Sequence, residues 1–153
     1  MIDYSPAREF ADEVRAFAMV ETNENEHAVG DGGRAAGILQ MHPASFAQFA
    51  IAHTKFSVHV SDTSTTAQIK ACAAFLLEQD WRTASREERD LITQAWNLGV
   101  HGVFGEGKRN SGYLDRWHAA YERIQQEHAR RALEEQMIAM TDDLSPKKEG
   151  GAE

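Results

Sequence analysis

Apolar residues recur at helical spacing in stretch after stretch of this chain, and the pattern breaks into short runs about one turn. Phe10, Val14 and Phe17 share one face of a helix expected from Pro6 to Glu21, with Ser5 as N-cap and Pro6 as a first helical residue. Between Ala28 and His42 the apolar runs are short and flank Asp31-Gly32-Gly33, which predicts a small β-hairpin. Pro43 then opens a helix through Phe46, Phe49 and Ala50, and a loop runs from Lys55 to Ser64. Another helix is expected from Thr65 to Gln79 with Ile69, Cys72, Ala73, Leu76 and Leu77 as its stripe. Ser85 and Glu88 read as a capping box before a helix carrying Leu91, Ile92, Ala95 and Trp96. The five glycines between Gly99 and Gly112 predict a long loop, and a last helix begins near Tyr113 with Leu114, Trp117, Tyr121 and Ile124. The expectation is a mainly α (α+β) domain of about five helices with one small hairpin after the first.

Composition narrows the function. One cysteine, Cys72, among 153 residues makes neither an internal disulfide framework nor a cysteine zinc site. The formal charge, 16 − 24 = −8, argues against a general nucleic-acid binder and against simple electrostatic attraction to an anionic membrane or cell wall. No apolar run approaches the roughly 20 residues that span a bilayer, so no membrane insertion is expected. The N-terminus lacks the basic start and apolar stretch of a secretory signal, so synthesis in the cytoplasm without a signal peptide is expected. The seven histidines form no strong ligand pattern, and neither metal nor cofactor is expected.

Three features carry chemistry. Glu21 continues the Phe10 face eleven positions on, close to three turns, which predicts partial desolvation and a raised carboxyl pKa suited to proton donation. A helix-end Glu that reaches water is the alternative. In Gly37-Ile38-Leu39-Gln40-Met41, Gln40 is a neutral amide able to orient a sugar, or else to cap a neighbouring backbone. In Ala95-Trp96-Asn97-Leu98-Gly99, Trp96 and Asn97 suit carbohydrate, or else are a core Trp and a helix stop. His42 and Tyr113 are open to either reading, cleft lining or structure.

In order, Glu21-Thr22, then Gly37-Ile38-Leu39-Gln40-Met41, then Ala95-Trp96-Asn97-Leu98-Gly99 resembles the catalytic domain of soluble lytic transglycosylases, in the lysozyme-like superfamily near the goose-type lysozymes. The family pattern is Glu-Ser, then Gly-Leu-Met-Gln-Ile, then Ala-Tyr-Asn-x-Gly. The stretch from Gly30 to Gly37 is similar to one in small peptidoglycan-cleaving proteins of phages and prophages. The resemblance covers roughly residues 7–124. It implies a lysozyme-like domain over 1–125; composition reads 126–140 as a charged helical extension and 141–153 as a disordered tail. The resemblance also implies Glu21 as the sole catalytic acid/base, with Thr22, Gly37, Gln40, Met41, Trp96 and Asn97 as substrate-binding candidates from the motifs; Tyr113, outside the motifs, is a further substrate-binding candidate. The expected substrate is the glycan strand of peptidoglycan. Thr22 departs from the family's Ser but keeps a hydroxyl, and Trp96 lacks the hydroxyl of the family's Tyr. Hydrolysis by a lysozyme-type muramidase, with water positioned by Asp31 or Glu24, and a non-catalytic virion protein are the alternatives. The extension offers Leu133, Met137 and Met140 to a protein partner, or else is a solvated helix end. Action on the cell wall is expected, in a virion or after release through a holin or a secretion machine.

Overall fold

The computed structural model describes residues 1–42, Phe56 and 64–144. The helix expected at Pro43, most of the loop expected from Lys55 to Ser64, and the tail beyond residue 144 lie outside the described residues. The described chain is mainly helical with one two-stranded antiparallel sheet. It divides into two compact units, Met1–Tyr121 and Glu122–Glu153.

The first helix starts later than expected. Ser5–Phe10 is a 3₁₀ segment, and Ser5 does not cap it; the chain kinks at Arg8, whose φ of 56° is left-handed. The α-helix proper, α1, is Ala11–Thr22. Phe10, Val14 and Phe17 are buried as the spacing predicts. The hairpin forms where expected: β1 (Val29–Gly30) pairs with β2 (Ala35–Ala36), Val29 opposite Ala36, around the turn Asp31–Gly33.

Helix α2 is Thr65–Glu78, capped by Ser64, whose hydroxyl accepts from the Ala67 N–H. Its burial exceeds a stripe. Ala67, Gln68, Ile69 and the whole run from Ala71 to Leu76 are buried, because so many alanines let neighbours close in on several sides. Cys72 is fully buried, and burial pushes its thiol well above the ordinary range.

Helix α3 is Arg86–Leu98, with the Ser85 hydroxyl accepting from the Glu88 N–H. The glycine-rich segment after it is not simply a loop: His101–Gly105 forms a π-helical turn. Helix α4, Ser111–Leu144, starts two residues before Tyr113 and continues through Thr141–Leu144, which composition had assigned to the tail. Within the first unit, Phe17, Phe75, Trp81, Trp96 and Trp117 form linked aromatic contacts at 5.2–5.8 Å. Within the second, α4 carries ion pairs at i,i+4 spacing (Arg131–Glu127 at 3.3 Å, Arg130–Glu134 at 3.9 Å) and exposes Leu133, Met137, Ile138 and Met140. Among the described residues no helix is long and apolar enough to cross a membrane.

Candidate active site

Glu21 stands one residue from the end of α1. The helix stops because Asn23 takes a left-handed conformation (φ 51°) and its N–H, with that of Glu24, returns to the last carbonyls. The Thr22 hydroxyl donates to the Ile38 carbonyl at 2.8 Å, tying the end of α1 to the segment behind the hairpin. That segment is held from below: the buried Gln68 side chain accepts from the Leu39 N–H at 3.1 Å. Gly37 (φ 83°) lies against Gln68, and a Cβ there would run into its carboxamide.

The result is a cleft of about 490 Å³ lined by Glu21, Gln40, Met41, Trp96 and Asn97, with Asp31 and His42 at its hairpin side. Five of the eight predicted site residues therefore meet at one cleft. Tyr113 reaches the same carboxyl: its hydroxyl donates to Glu21 Oε1 at 2.7 Å. Thr22 and Gly37 are not cleft-lining residues. Their parts are a helix-end tie and a close approach of backbone to Gln68.

Burial is the largest influence on Glu21 and raises its pKa, and the charge of Asp31 adds to the rise. The Tyr113 hydrogen bond and the Arg116 guanidinium pull the other way. Burial, then the charge of Glu21 and the shared hydrogen bond, lifts the Tyr113 phenol well above its ordinary value, so it remains a donor. The Arg116 guanidinium sits over the Tyr113 ring at 5.9 Å. A tyrosine from α4 thus places a hydroxyl donor on Glu21.

The other readings left open for each residue turn out to be compatible. Gln40 donates to the Ala28 and Gly37 carbonyls, both at 3.0 Å, and also lines the cleft; its φ of 49° is left-handed. Trp96 packs on Phe17 and Phe75 and lines the cleft as well. The Asn97 side-chain oxygen accepts from Asn110 at 2.9 Å, which leaves its amide N–H groups as the part suited to a ligand. Asn110 in turn accepts from the Tyr113 N–H at 3.0 Å, so it links Asn97 to the start of α4.

Sequence offers two candidates for a second carboxylate, Glu24 and Asp31. Glu24 accepts from Tyr4 at 2.8 Å and pairs with Arg15 at 3.0 Å, and it does not line the cleft. Asp31 does line it, largely exposed and paired with His42 at 2.9 Å. Sequence reasoning missed Arg116 and Asn110. Arg116 lies one helical turn after Tyr113, the one signal that could have found it. Among the described residues no group of three His, Cys, Asp or Glu side chains is placed to hold a metal ion.

Comparison of the chain with protein-family models, curated proteins and solved structures finds no match. The site's own geometry and chemistry therefore carry the functional reading.

Proposed function

We propose that this chain is a peptidoglycan lytic transglycosylase with a lysozyme-like fold, cleaving the β-1,4 bond between N-acetylmuramic acid and N-acetylglucosamine. The observation that carries the proposal is the Glu21 carboxyl: raised by burial, held by the Tyr113 hydroxyl, and lining a cleft whose other walls include the Trp96 indole, the Gln40 and Asn97 amides, Asp31 and His42. A carboxyl whose pKa is raised is better suited to donate a proton to a leaving oxygen, and Tyr113 fixes its orientation.

Glu21 protonates the glycosidic oxygen, and the C1–O bond breaks. The substrate's N-acetyl group stabilises the oxocarbenium-like centre. Glu21, now a carboxylate, takes the proton from the C6 hydroxyl as that oxygen closes on C1, giving a 1,6-anhydro sugar without consuming water. Trp96 offers an apolar face and Asn97 its amide N–H groups for the sugar. One carboxyl serves as acid and then base, so its pKa belongs near the working pH.

Hydrolysis is kept as a second reading because Asp31 lines the same cleft. A carboxylate there would position a water in the way of two-carboxylate glycosidases. Analysis of muropeptides from wild type, Glu21→Gln and Asp31→Asn separates the two. Anhydro products that survive in Asp31→Asn support the transglycosylase. Hydrated ends that vanish in Asp31→Asn support the hydrolase. The exposed Leu133, Met137 and Met140 favour a protein partner for the extension, and deletion after Gln125 tests this through binding and oligomeric state.

A further inference from the structure

Asn110 is held by its main chain and its side chain together. Its backbone carbonyl accepts from the Leu114 N–H at 3.1 Å and its side-chain oxygen from the Tyr113 N–H at 3.0 Å, so it is the N-cap of α4. Its own backbone N–H donates to the Gln94 side-chain oxygen at 2.7 Å. Gln94 is buried on α3, and its amide N–H donates to the Asp90 carbonyl at 3.1 Å.

These bonds have a direction. A backbone N–H only donates, and a carbonyl oxygen only accepts. The Tyr113 N–H therefore requires the Asn110 oxygen. That turns the Asn110 amide nitrogen the other way, onto the Asn97 side-chain oxygen at 2.9 Å. The Asn97 oxygen is thus committed, and the rest of its carboxamide is an NH₂ group, a donor. Asn97 lines the cleft of Glu21. A backbone donor at the start of α4 is transmitted through two side-chain amides and emerges as a donor at the cleft. Tyr113, whose N–H begins this relay, is also the residue whose hydroxyl holds Glu21 at 2.7 Å. One side chain, Asn110, serves both sides of the site.

We propose that Asn110 is a positioning residue of the cleft. It fixes the Asn97 carboxamide as a donor toward an acceptor oxygen of the substrate, and it caps the helical turn that carries Tyr113. That the acceptor oxygen belongs to a glycan rests on the transglycosylase reading of the cleft; the direction of the relay does not.

Three variants separate the two duties. Asn110→Asp keeps the cap, because Asp and Asn are about equally good N-caps. A carboxylate has no N–H to give, so Asn97 must turn its NH₂ group toward residue 110 and its oxygen toward the cleft. Asn110→Ser, which is uncharged, keeps a capping oxygen and removes the amide nitrogen that holds Asn97. Asn110→Ala removes cap and tie together. The Asn97 side-chain ¹⁵NH₂ signals of the full chain would be followed by NMR, with thermal melts and the kcat/KM for cleavage of purified peptidoglycan.

In Asn110→Asp the Asn97 signals should move and their protons should exchange more slowly with water, since one of them now binds a carboxylate. Its kcat/KM should fall about tenfold, the worth of one hydrogen bond, while its melt stays near that of wild type. Asn110→Ser should also keep its melt and lose less in kcat/KM than Asn110→Asp. Asn110→Ala should melt lowest. A capping role alone predicts another order, with Asn110→Asp and Asn110→Ser cleaving like wild type. Unmoved Asn97 signals in Asn110→Asp would overturn the relay, whatever the protein cleaves. A wild-type kcat/KM in Asn110→Asp or in Asn110→Ser would overturn the positioning role. Moved signals in Asn110→Asp beside a wild type that does not cleave peptidoglycan would support the relay and count against the transglycosylase reading.

Discussion

Helices α1 and α4 meet in three rungs, and the outer two are the same residue pair. Glu21 accepts from Tyr113 at one end, Glu13 from Tyr121 at the other, and Phe17 packs on Trp117 between them at 5.5 Å. Since 13, 17 and 21 face 121, 117 and 113, the helices run antiparallel in register. Burial raises both carboxyls. Yet the pairs differ in everything around them. The Glu21–Tyr113 bond is 2.7 Å, with Arg116 adding its charge, and the carboxyl borders a wide cleft. The Glu13–Tyr121 contact is a long 3.5 Å, and the second oxygen of Glu13 has no partner. A raised pKa alone thus does not single out an acid; a firm donor on one oxygen and room for substrate beside the other do.

The largest test of that contrast is Glu21→Gln beside Glu13→Gln. The first should lower glycan cleavage by about 10²–10⁴-fold or more, the usual worth of a general acid–base group. The second should leave cleavage largely intact. Equal losses in both would break the distinction. Next, Trp117→Ala removes the rung the two pairs share and should cost about 3–5 kcal/mol in denaturant unfolding. A much smaller loss would mean the rungs are not mechanically joined.

Tyr113→Phe should cost about 1–3 kcal/mol, the range for a hydrogen bond to a charged or buried group. Because Tyr113 lowers the Glu21 pKa, its removal should move the basic limb of the kcat/KM profile to higher pH. A shift to lower pH would contradict the assigned role. Tyr121→Phe should cost less than about 0.5 kcal/mol, since a 3.5 Å contact is hardly a hydrogen bond. Both glutamates also make stability depend on pH. Each is raised in the folded chain, so stability is fullest at and below the ordinary carboxyl range and falls as pH rises through the folded pKa. Thermal melts across pH should show each Gln variant flattening that fall.

The cleft was legible where spacing and residue type agree. Glu21 stands out because eleven residues after Phe10 returns to the same face, and Trp96-Asn97 because they close a helix with a clear cap. Thr22 and Gly37 lie beside cleft residues in sequence, but which way a hydroxyl turns and what a glycine abuts depend on Ile38 and Gln68, contacts across 16 and 31 positions. Arg8 escaped because nothing in its sequence marks a left-handed backbone. The π-turn His101–Gly105 escaped because its glycines read as a loop. The second carboxyl rung was within reach, as Glu13, Phe17 and Glu21 follow at i, i+4 and i+8. Its partner Tyr121 lies 108 residues away, however, and long-range pairing is not a local signal.

The most direct test of the central claim is mass analysis of muropeptides released from purified peptidoglycan by wild type and by Glu21→Gln. The account predicts 1,6-anhydro products from wild type and none from the variant. Cleavage retained by a folded Glu21→Gln protein would contradict it.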